Sequence, residues 1–375
     1  MPPLKNILAL SLATLLLAFT AAGQVPLIGG GNEDLSSSLH ISNPVKLWAI
    51  HAVLENGTAH YFDFDLKEGA RIHLELLKST DPEDEGFLPK LLLIGPGIED
   101  KGSSSALQPE GNASSPFASS VAHEALKGLG VLEAEGREEK ATYEPFWPSS
   151  RIKLAEINIS APRTGRYYAV VYESNKSSRG ENASMAAASA AAEGAAGGKG
   201  GGHYSLAVGY REEFSFTDRM IAPIRIASVY IWEGQSLTMI LIPYLVAIIA
   251  GFLIYWRSSR RSPFSLAGTL AGFLFLGTSS LILTQMVFSL TRAPFGPEIY
   301  ITMATVLFHA ILGVASIRLA RGEAGILQRS LLAVIGTIAL LGGSGMILGP
   351  ILGIAASFLP TARRGPASGD LLSEG

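Results

Sequence analysis

The chain contains no cysteine among its 375 residues. This absence excludes disulfide bonds, thiolate metal sites and a cysteine nucleophile. Charge is scarce as well, since Asp, Glu, Lys and Arg together make up only 16% of the residues. The distribution of the few charges therefore becomes a strong indicator of where the chain meets water.

The charges are divided unevenly between two parts of the chain. Residues 24–235 contain 28 acidic and 19 basic residues, a net charge of −9, whereas residues 236–375 contain 4 and 9, a net charge of +5. Such asymmetry indicates two different environments. Neither part has the basic patch that a nucleic-acid partner needs, so we expect no nucleic acid to bind.

The first 23 residues have the pattern of a secretory signal peptide. Lys5 supplies the positive charge, residues 7–19 form a mostly apolar core, and residues 20–23 are small, as signal peptidase requires. The alternative is an uncleaved anchor helix, although the apolar core is short for a membrane span. Residues 24–45 are rich in Gly, Ser and Asn and predict a linker, and residues 361–375 predict a disordered tail.

Strand-like alternation dominates residues 46–235. Large apolar residues alternate with polar ones over residues 60–66, and residues 71–77 repeat the pattern after the turn "KEGA", which predicts an antiparallel pair. Further runs of this kind occupy residues 88–97, 151–159, 164–173 and 202–210. Strands without intervening amphipathic helices predict an all-β antiparallel sandwich that forms an exported domain.

Two low-complexity insertions, at residues 98–142 and 174–202, interrupt this domain. The second is a Ser-, Ala- and Gly-rich piece with almost nothing to bury. If the strands on either side of it pair, it forms an elongated hairpin loop.

The strand series resembles the bacterial and archaeal pre-peptidase C-terminal (PPC) domain. The matching pieces are "AHYFDFDLKEGARIHLELL", "PKLLLIGPG", "TGRYYAVVYE" and "GHYSLAVG", within residues 45–210. The resemblance implies a small β-sandwich with an adhesive or substrate-presenting role. It implies no catalytic residues.

Polar clusters in this half offer only modest candidates for a metal site. The loop "DPEDEG" brings together four carboxylates that Ca²⁺ would favour, but without the spacing of a known calcium loop; they are Asp81, Glu83, Asp84 and Glu85. His51, His60 and His73 lie near neighbouring predicted strands, but no metal-binding spacing links them. We therefore expect solvated loops, no metal and no cofactor.

Five glycosylation sequons occur, all in the acidic half; they are Asn56, Asn112, Asn158, Asn175 and Asn182. They fit an exported glycoprotein. Residues 212–235 then predict a final strand or an interfacial segment that ends at Trp232, a typical anchor at the level of the lipid headgroups.

Residues 236–360 predict a four-helix transmembrane domain with spans at 237–256, 266–290, 299–317 and 330–359. With the β-domain outside, six loop arginines fall inside and one outside, as the positive-inside rule requires. We therefore expect a multi-pass plasma-membrane protein with its N-terminal domain extracellular. The fourth segment is long for one span, so we expect a bent helix with the C-terminus outside. The alternative is a hairpin that brings Arg363 and Arg364 inside.

Small residues mark helix contacts in these spans; they are Gly268, Gly272, Gly345, Gly349 and Gly353. They suit packing within the bundle, or else a homo-oligomer or a membrane-protein partner. Ser344 lies in a Gly-x-Ser-Gly motif similar to the nucleophile motif of rhomboid proteases, and His309 is expected at a similar depth. Rhomboids, however, have more spans, and their His follows the Ser.

These features together predict a non-enzymatic, membrane-anchored module for binding or adhesion at the cell surface or in the envelope. The first alternative is an accessory or sensory subunit of a membrane complex. The second is an intramembrane serine hydrolase that uses Ser344 and His309. The lipid bilayer is the one partner common to all three hypotheses.

Overall fold

The computed structural model describes residues 24–99, 128–134, 137–173, 201–213, 215–258 and 261–360. The predicted signal peptide, the predicted tail and most of both predicted insertions lie outside these residues. Within them, β-strands occupy the first part of the chain and helices the second, which matches the division of charge.

The first part forms two mixed β-sheets. The strands are β1 (Val25–Ile28), β2 (Leu39–His40), β3 (Trp48–Glu55), β4 (Ala59–Leu66), β5 (Arg71–Ser79), β6 (Pro89–Gly95), β7 (Gly130–Ala134), β8 (Thr142–Glu144), β9 (Ser149–Ser160), β10 (Gly165–Glu173) and β11 (Gly201–Val208). The first sheet has the order β1-β3-β11-β5-β9-β8, and the second has the order β2-β4-β10-β6-β7. We call these two sheets together the β-domain.

Both sheets bury their alternating apolar residues in one shared core. Ile50 and Leu54 enter it from the first sheet, and Phe62 and Phe64 from the second, each at most 1% exposed. Burial of a large apolar side chain contributes roughly 1.5–3 kcal/mol, so this core carries the stability that disulfides cannot supply here.

Two edge strands depart from the predicted antiparallel arrangement. β1 pairs in parallel with β3, and β2 pairs in parallel with β4, whereas the other pairs are antiparallel. Both strands come from residues 24–45, so the prediction of a linker there is wrong. Val25 in β1 is only 1% exposed, which shows that this segment belongs to the β-domain.

The strands of the predicted pair at residues 60–66 and 71–77 exist as β4 and β5, but they do not pair. β4 lies beside β10 in the second sheet, and β5 lies between β11 and β9 in the first. The two strands lie in different sheets that share one core, and alternation looks the same in either arrangement. β10 and β11 likewise belong to different sheets, so the second insertion connects the two sheets and closes no hairpin.

The second part is helical. The helices are α1 (Phe216–Trp232), α2 (Leu237–Arg257), α3 (Pro263–Leu290), α4 (Ile299–Arg321), α5 (Ile326–Leu341) and α6 (Leu348–Ala356). Three of them, α2, α3 and α4, are long and apolar enough to cross a membrane, which indicates a membrane-embedded protein. The described residues of the range 212–235 contain no strand; instead, Ser215 caps α1, and its Oγ accepts the Asp218 N–H at 3.1 Å.

The fourth apolar segment is not one helix, so the prediction of a bent span over residues 330–359 is wrong. α5 ends at Leu341 because Gly343, Gly345 and Met346 have positive φ angles of 67°, 72° and 53°, which an α-helix cannot contain. α6 then turns back along α5, and Arg329 Nη1 donates to Ser357 O at 2.9 Å. We call α5, the intervening turn and α6 the helical hairpin.

The turn of the helical hairpin lies against the middle of α3. Gly345 N–H donates to Thr278 Oγ1 at 2.7 Å, and a Cβ added at Gly345 would lie 2.6 Å from Phe275. A turn at this depth has no water to satisfy its backbone, so α3 has to shelter it. The chain therefore enters and leaves the helical hairpin on the same side of the helical layer.

Candidate functional site

The strongest candidate for a functional site is the junction where the β-domain rests on the helices. Trp232, the last residue of α1, fixes this contact on the outer face of the first sheet. Its Nε1–H donates to Ala52 O at 2.9 Å, and its ring lies 4.6 Å from the His51 ring and 5.9 Å from the His203 ring. The prediction of a headgroup anchor at Trp232 is wrong, because this indole N–H binds the sheet.

A second contact joins β8 to the start of α4. Thr302 Oγ1 donates to Pro145 O at 2.8 Å and lies 2.7 Å from the Tyr143 hydroxyl. Thr302 has one hydroxyl hydrogen and uses it for Pro145, so Tyr143 is the donor in the second bond. The Tyr143 ring packs against Met286 and Ile299, which ties β8 to both α3 and α4.

A buried ion pair holds the start of α1. Lys46 Nζ lies 2.6 Å from Asp218 Oδ2, and both side chains are about nine-tenths buried. Burial acts to raise the pKa of Asp218, but hydrogen bonds from Lys46 and Ser215 outweigh it and lower this pKa below its usual value. Both ends of α1 are thus fixed to the β-domain.

Two buried glutamines link the end of the junction to the spans. Gln235 Nε2 donates to Gln285 Oε1 at 2.7 Å, and Gln285 Nε2 donates back to Gln235 Oε1 at 2.6 Å. This reciprocal pair satisfies two amide groups that would otherwise lack partners near the start of α2 and the end of α3.

A group of buried polar side chains fills the centre of the junction; we call it the junction cluster, and its members are His51, Ser149, Arg151, Ser205 and Glu233. Each is at most 4% exposed. Ser205 lies directly opposite His51 on neighbouring strands. Ser149 and Arg151 lie two residues apart on β9, and Glu233 follows Trp232.

The junction cluster concentrates polar atoms that lack hydrogen-bond partners. Thirteen buried side-chain nitrogen or oxygen atoms in the described residues have no partner, and seven belong to this cluster. They are both ring nitrogens of His51, Nε and Nη2 of Arg151, Oε1 of Glu233 and the hydroxyls of Ser149 and Ser205. Because buried polar groups are normally paired, such a concentration makes the junction cluster the candidate for a binding site.

The charges of the junction cluster depend on burial. Burial raises the pKa of Glu233 to about 8, against the opposing effect of the Arg151 and Arg292 charges. Ser149 lies close enough to lower this pKa as well, although its hydroxyl makes no hydrogen bond of standard geometry. Burial, and then the Arg151 charge, lower the pKa of His51 well below its usual value. Burial therefore favours the neutral forms of Glu233 and His51 beside the Arg151 guanidinium.

The four carboxylates of the "DPEDEG" loop, which are only weak candidates for a calcium site, point to different places. Asp84 is buried and accepts His203 N–H at 3.0 Å, with its carboxylate also 3.0 Å from His203 Nδ1, and this bond raises the pKa of His203. Asp81 accepts Glu83 N–H at 3.0 Å and lies against Gly234 in the junction. Glu83 and Glu85 are exposed. The loop thus holds β11 through Asp84 and contacts the junction through Asp81.

The predicted histidine group does not converge. His51 lies in the junction, His60 contacts the Tyr204 hydroxyl at 2.7 Å inside the β-domain, and His73 lies 3.0 Å from Gly209 O. His73 instead approaches Glu75 and Glu156, with one possible ligand atom from each within 4.8 Å of the others. Lys153 Nζ already lies 3.3 Å from Glu75 and 2.5 Å from Glu156, where a cation would bind.

The predicted serine–histidine pair lies in the helical layer but does not form a dyad. Ser344 is in the turn of the helical hairpin and His309 is in α4, and both are buried. Ser344 Oγ and His309 Nδ1 each lack a hydrogen-bond partner, so neither is bonded to the other. A nucleophile needs a base within hydrogen-bond reach, and this arrangement does not supply that bond.

The small residues of the spans face other helices of the same chain. A Cβ at Gly272 would lie 2.6 Å from Gly313 O, and one at Gly349 would lie 2.9 Å from Phe275. Gly268 faces Ala320, and Gly353 faces Gly336. Close helix approach within this bundle uses all of these positions.

Of the five sequons, Asn56 and Asn158 are exposed on the β-domain. Asn158 Oδ1 also accepts a hydrogen bond from Arg71 Nε at 3.0 Å. Asn112, Asn175 and Asn182 lie outside the described residues.

The junction is not evident in the sequence because its members come from distant segments. Taken in its own segment, His51 suggests only a possible metal ligand, and Arg151 only the start of a strand. The signal that was present is a charged "WEG" turn between two apolar segments, where Glu233 had no evident partner.

No protein-family model matches this chain, and no curated protein is detectably similar to it.

Proposed function

We propose that this chain is a non-enzymatic, membrane-anchored module that presents its β-domain at the outer cell surface for binding or adhesion. The observation that carries the proposal is the docking of the β-domain on the helices through Trp232, Tyr143 and the Lys46–Asp218 pair. A module fixed at several points keeps one orientation toward a ligand, so it loses less entropy on binding. The resemblance of its strands to the PPC domain supports the same role.

The proposed orientation follows from the helical hairpin and the positive-inside rule. With the β-domain outside, the loops before α3 and before α5 lie inside with their arginines. The hairpin returns the chain to the side of Arg329, where Arg363 and Arg364 then follow. The charge rule thus holds without the exception that a fourth span would create.

The second candidate is an accessory or sensory subunit of a membrane complex. The junction favours it, because the Tyr143–Thr302 hydrogen bond connects the β-domain directly to α4, and the Gln235–Gln285 pair connects the turn after α1 to α3. A change in the β-domain would then reach the spans directly. A hydrolase is disfavoured, since Ser344 and His309 lack the bond that an activated nucleophile requires.

Affinity purification in a mild detergent separates the two candidates. The surface module is expected to elute alone, whereas a stoichiometric membrane protein that elutes with it would favour the subunit. For the orientation, a protease-cleavable tag after Gly375 is expected to be protected in intact cells and cleaved after lysis. Cleavage from outside would contradict the proposed topology.

A further inference from the structure

The hydrogen-bonding groups of the junction cluster are unbalanced toward donors. Arg151 uses Nη1 to donate to Gln24 Oε1 at 3.1 Å, which leaves the Nε–Nη2 edge free. That edge is a planar fork that matches the two oxygens of a carboxylate or phosphate. The hydroxyls of Ser149 and Ser205 and one N–H of neutral His51 add further donors.

Among the described residues, the nearby carboxylates outside the cluster are paired elsewhere, and inside it burial favours the neutral form of Glu233 by raising its pKa to about 8. Asp84 is paired with His203, Asp218 with Lys46, and Asp81 caps its own loop. Arg292 adds a second positive charge near Glu233. Water would satisfy the hydroxyls, but it would leave a buried guanidinium uncompensated, which is strongly unfavourable.

We propose that the junction cluster binds one oxyanion, held at two of its oxygens by Arg151 Nε and Nη2 and contacted by the Ser149 and Ser205 hydroxyls. The neutral, protonated Glu233 carboxyl can donate to the same anion, as can His51. The oxyanion compensates the Arg151 charge and connects β3, β9 and β11 to the turn before α2. This site goes beyond the proposed surface role and does not depend on it.

Two sources could supply the oxyanion, because the cluster lies near the outer ends of the spans. One is a free anion such as inorganic phosphate, and the other is the phosphate of a lipid headgroup. The chemistry that Arg151 recognises is the same in both cases. The experiment therefore uses one probe for each source.

The test uses the full chain, delipidated in a maltoside detergent at pH 6.5 and constant ionic strength. The melting temperature is measured against inorganic phosphate and, separately, against dihexanoyl phosphatidic acid. A rise with phosphate indicates a free anion, and a rise with the short-chain lipid alone indicates a headgroup. If neither probe raises the melting temperature, the proposal is wrong.

Variants locate the binding on the cluster. Arg151→Lys keeps the charge but loses the planar fork, so we expect this variant to bind the probe at least tenfold more weakly, as measured by the probe concentration needed to raise the melting temperature. Ser205→Ala should bind the probe severalfold more weakly. Arg166→Gln, which removes an exposed arginine from the other sheet, is the matched control and should respond like the parent chain. Equal responses from Arg151→Lys and the parent chain would exclude the junction cluster as the site.

Discussion

Trp232 provides the sharpest test of the docking of the β-domain on the helices. The side chain is 6% exposed, donates one hydrogen bond to Ala52 O and packs between the His51 and His203 rings. Trp232→Phe removes the hydrogen bond and keeps most of the ring, so we expect a loss of about 1 kcal/mol. Trp232→Ala also removes the packing and should cost about 3–5 kcal/mol.

These losses convert into measurable shifts of the melting temperature. For a domain of this size, each kcal/mol corresponds to roughly 2–4 °C, so Trp232→Ala should melt about 10 °C lower. The chain has no cysteine, so Ser205→Cys, buried in the junction, provides a single reporter thiol. We expect this thiol to react slowly in the parent chain and much faster with Trp232→Ala, because the junction opens.

Trp256 supplies the matched control. It lies at the other end of α2 and is 59% exposed, so Trp256→Ala should change the melting temperature and the thiol reactivity little. The docking argument fails if Trp232→Ala and Trp256→Ala melt alike and leave Ser205→Cys equally protected.

Three further predictions concern the helical hairpin and the junction. Gly345→Ala should destabilise more than Gly343→Ala, because both have positive φ but only a Cβ at position 345 would lie 2.6 Å from Phe275; melting curves of the two variants compare them directly. The contribution of Glu233 to stability should fall as pH rises from 4.5 to about 8, since the folded state keeps the Glu233 proton and the unfolded state loses it; Glu233→Gln should therefore gain stability relative to the parent chain across this range, measured by denaturation at each pH. Ser344→Ala should melt at the same temperature as the parent chain or higher, because it removes an unpaired buried hydroxyl. A fluorophosphonate probe should label neither protein, and labelling that depends on Ser344 would support the hydrolase hypothesis.

The sequence was sufficient to predict the local elements that a periodic pattern specifies. Residues 60–66 and 71–77 form β4 and β5, and the first three apolar segments match α2, α3 and α4 closely. In each case one environment determines the pattern. A strand with one buried and one exposed face alternates apolar and polar residues, and a helix in an apolar layer is apolar along its whole length. Long, uniform patterns of this kind need no knowledge of distant residues.

Pairings and breaks were harder to predict because they depend on distant contacts. Alternation in β4 and β5 shows which side chains are buried, but not which sheet buries them. The turn after Leu341 depends on shelter from Phe275 and Thr278, seventy residues earlier in the chain. Met346 at φ 53° carries no sequence signal at all, since glycine is the usual residue in that conformation.

The candidate site was the least predictable part. His51, Arg151 and Glu233 come from three separate segments, and each looks unremarkable in its own window. Only their common burial in the junction distinguishes them from surface charges. A sequence method that starts from catalytic motifs leads instead to Ser344, whose hydroxyl makes no hydrogen bond in the structure.

The helical hairpin has a consequence for the order in which the protein assembles in the membrane. Neither arm crosses the lipid by itself, so the hairpin cannot be inserted as an ordinary span and needs a preformed groove. That groove is lined by Phe275 and Thr278 of α3 and by Phe308 of α4, which must already be packed together. Insertion of α2, α3 and α4 should therefore come first, and the C-terminal hairpin should close the bundle last.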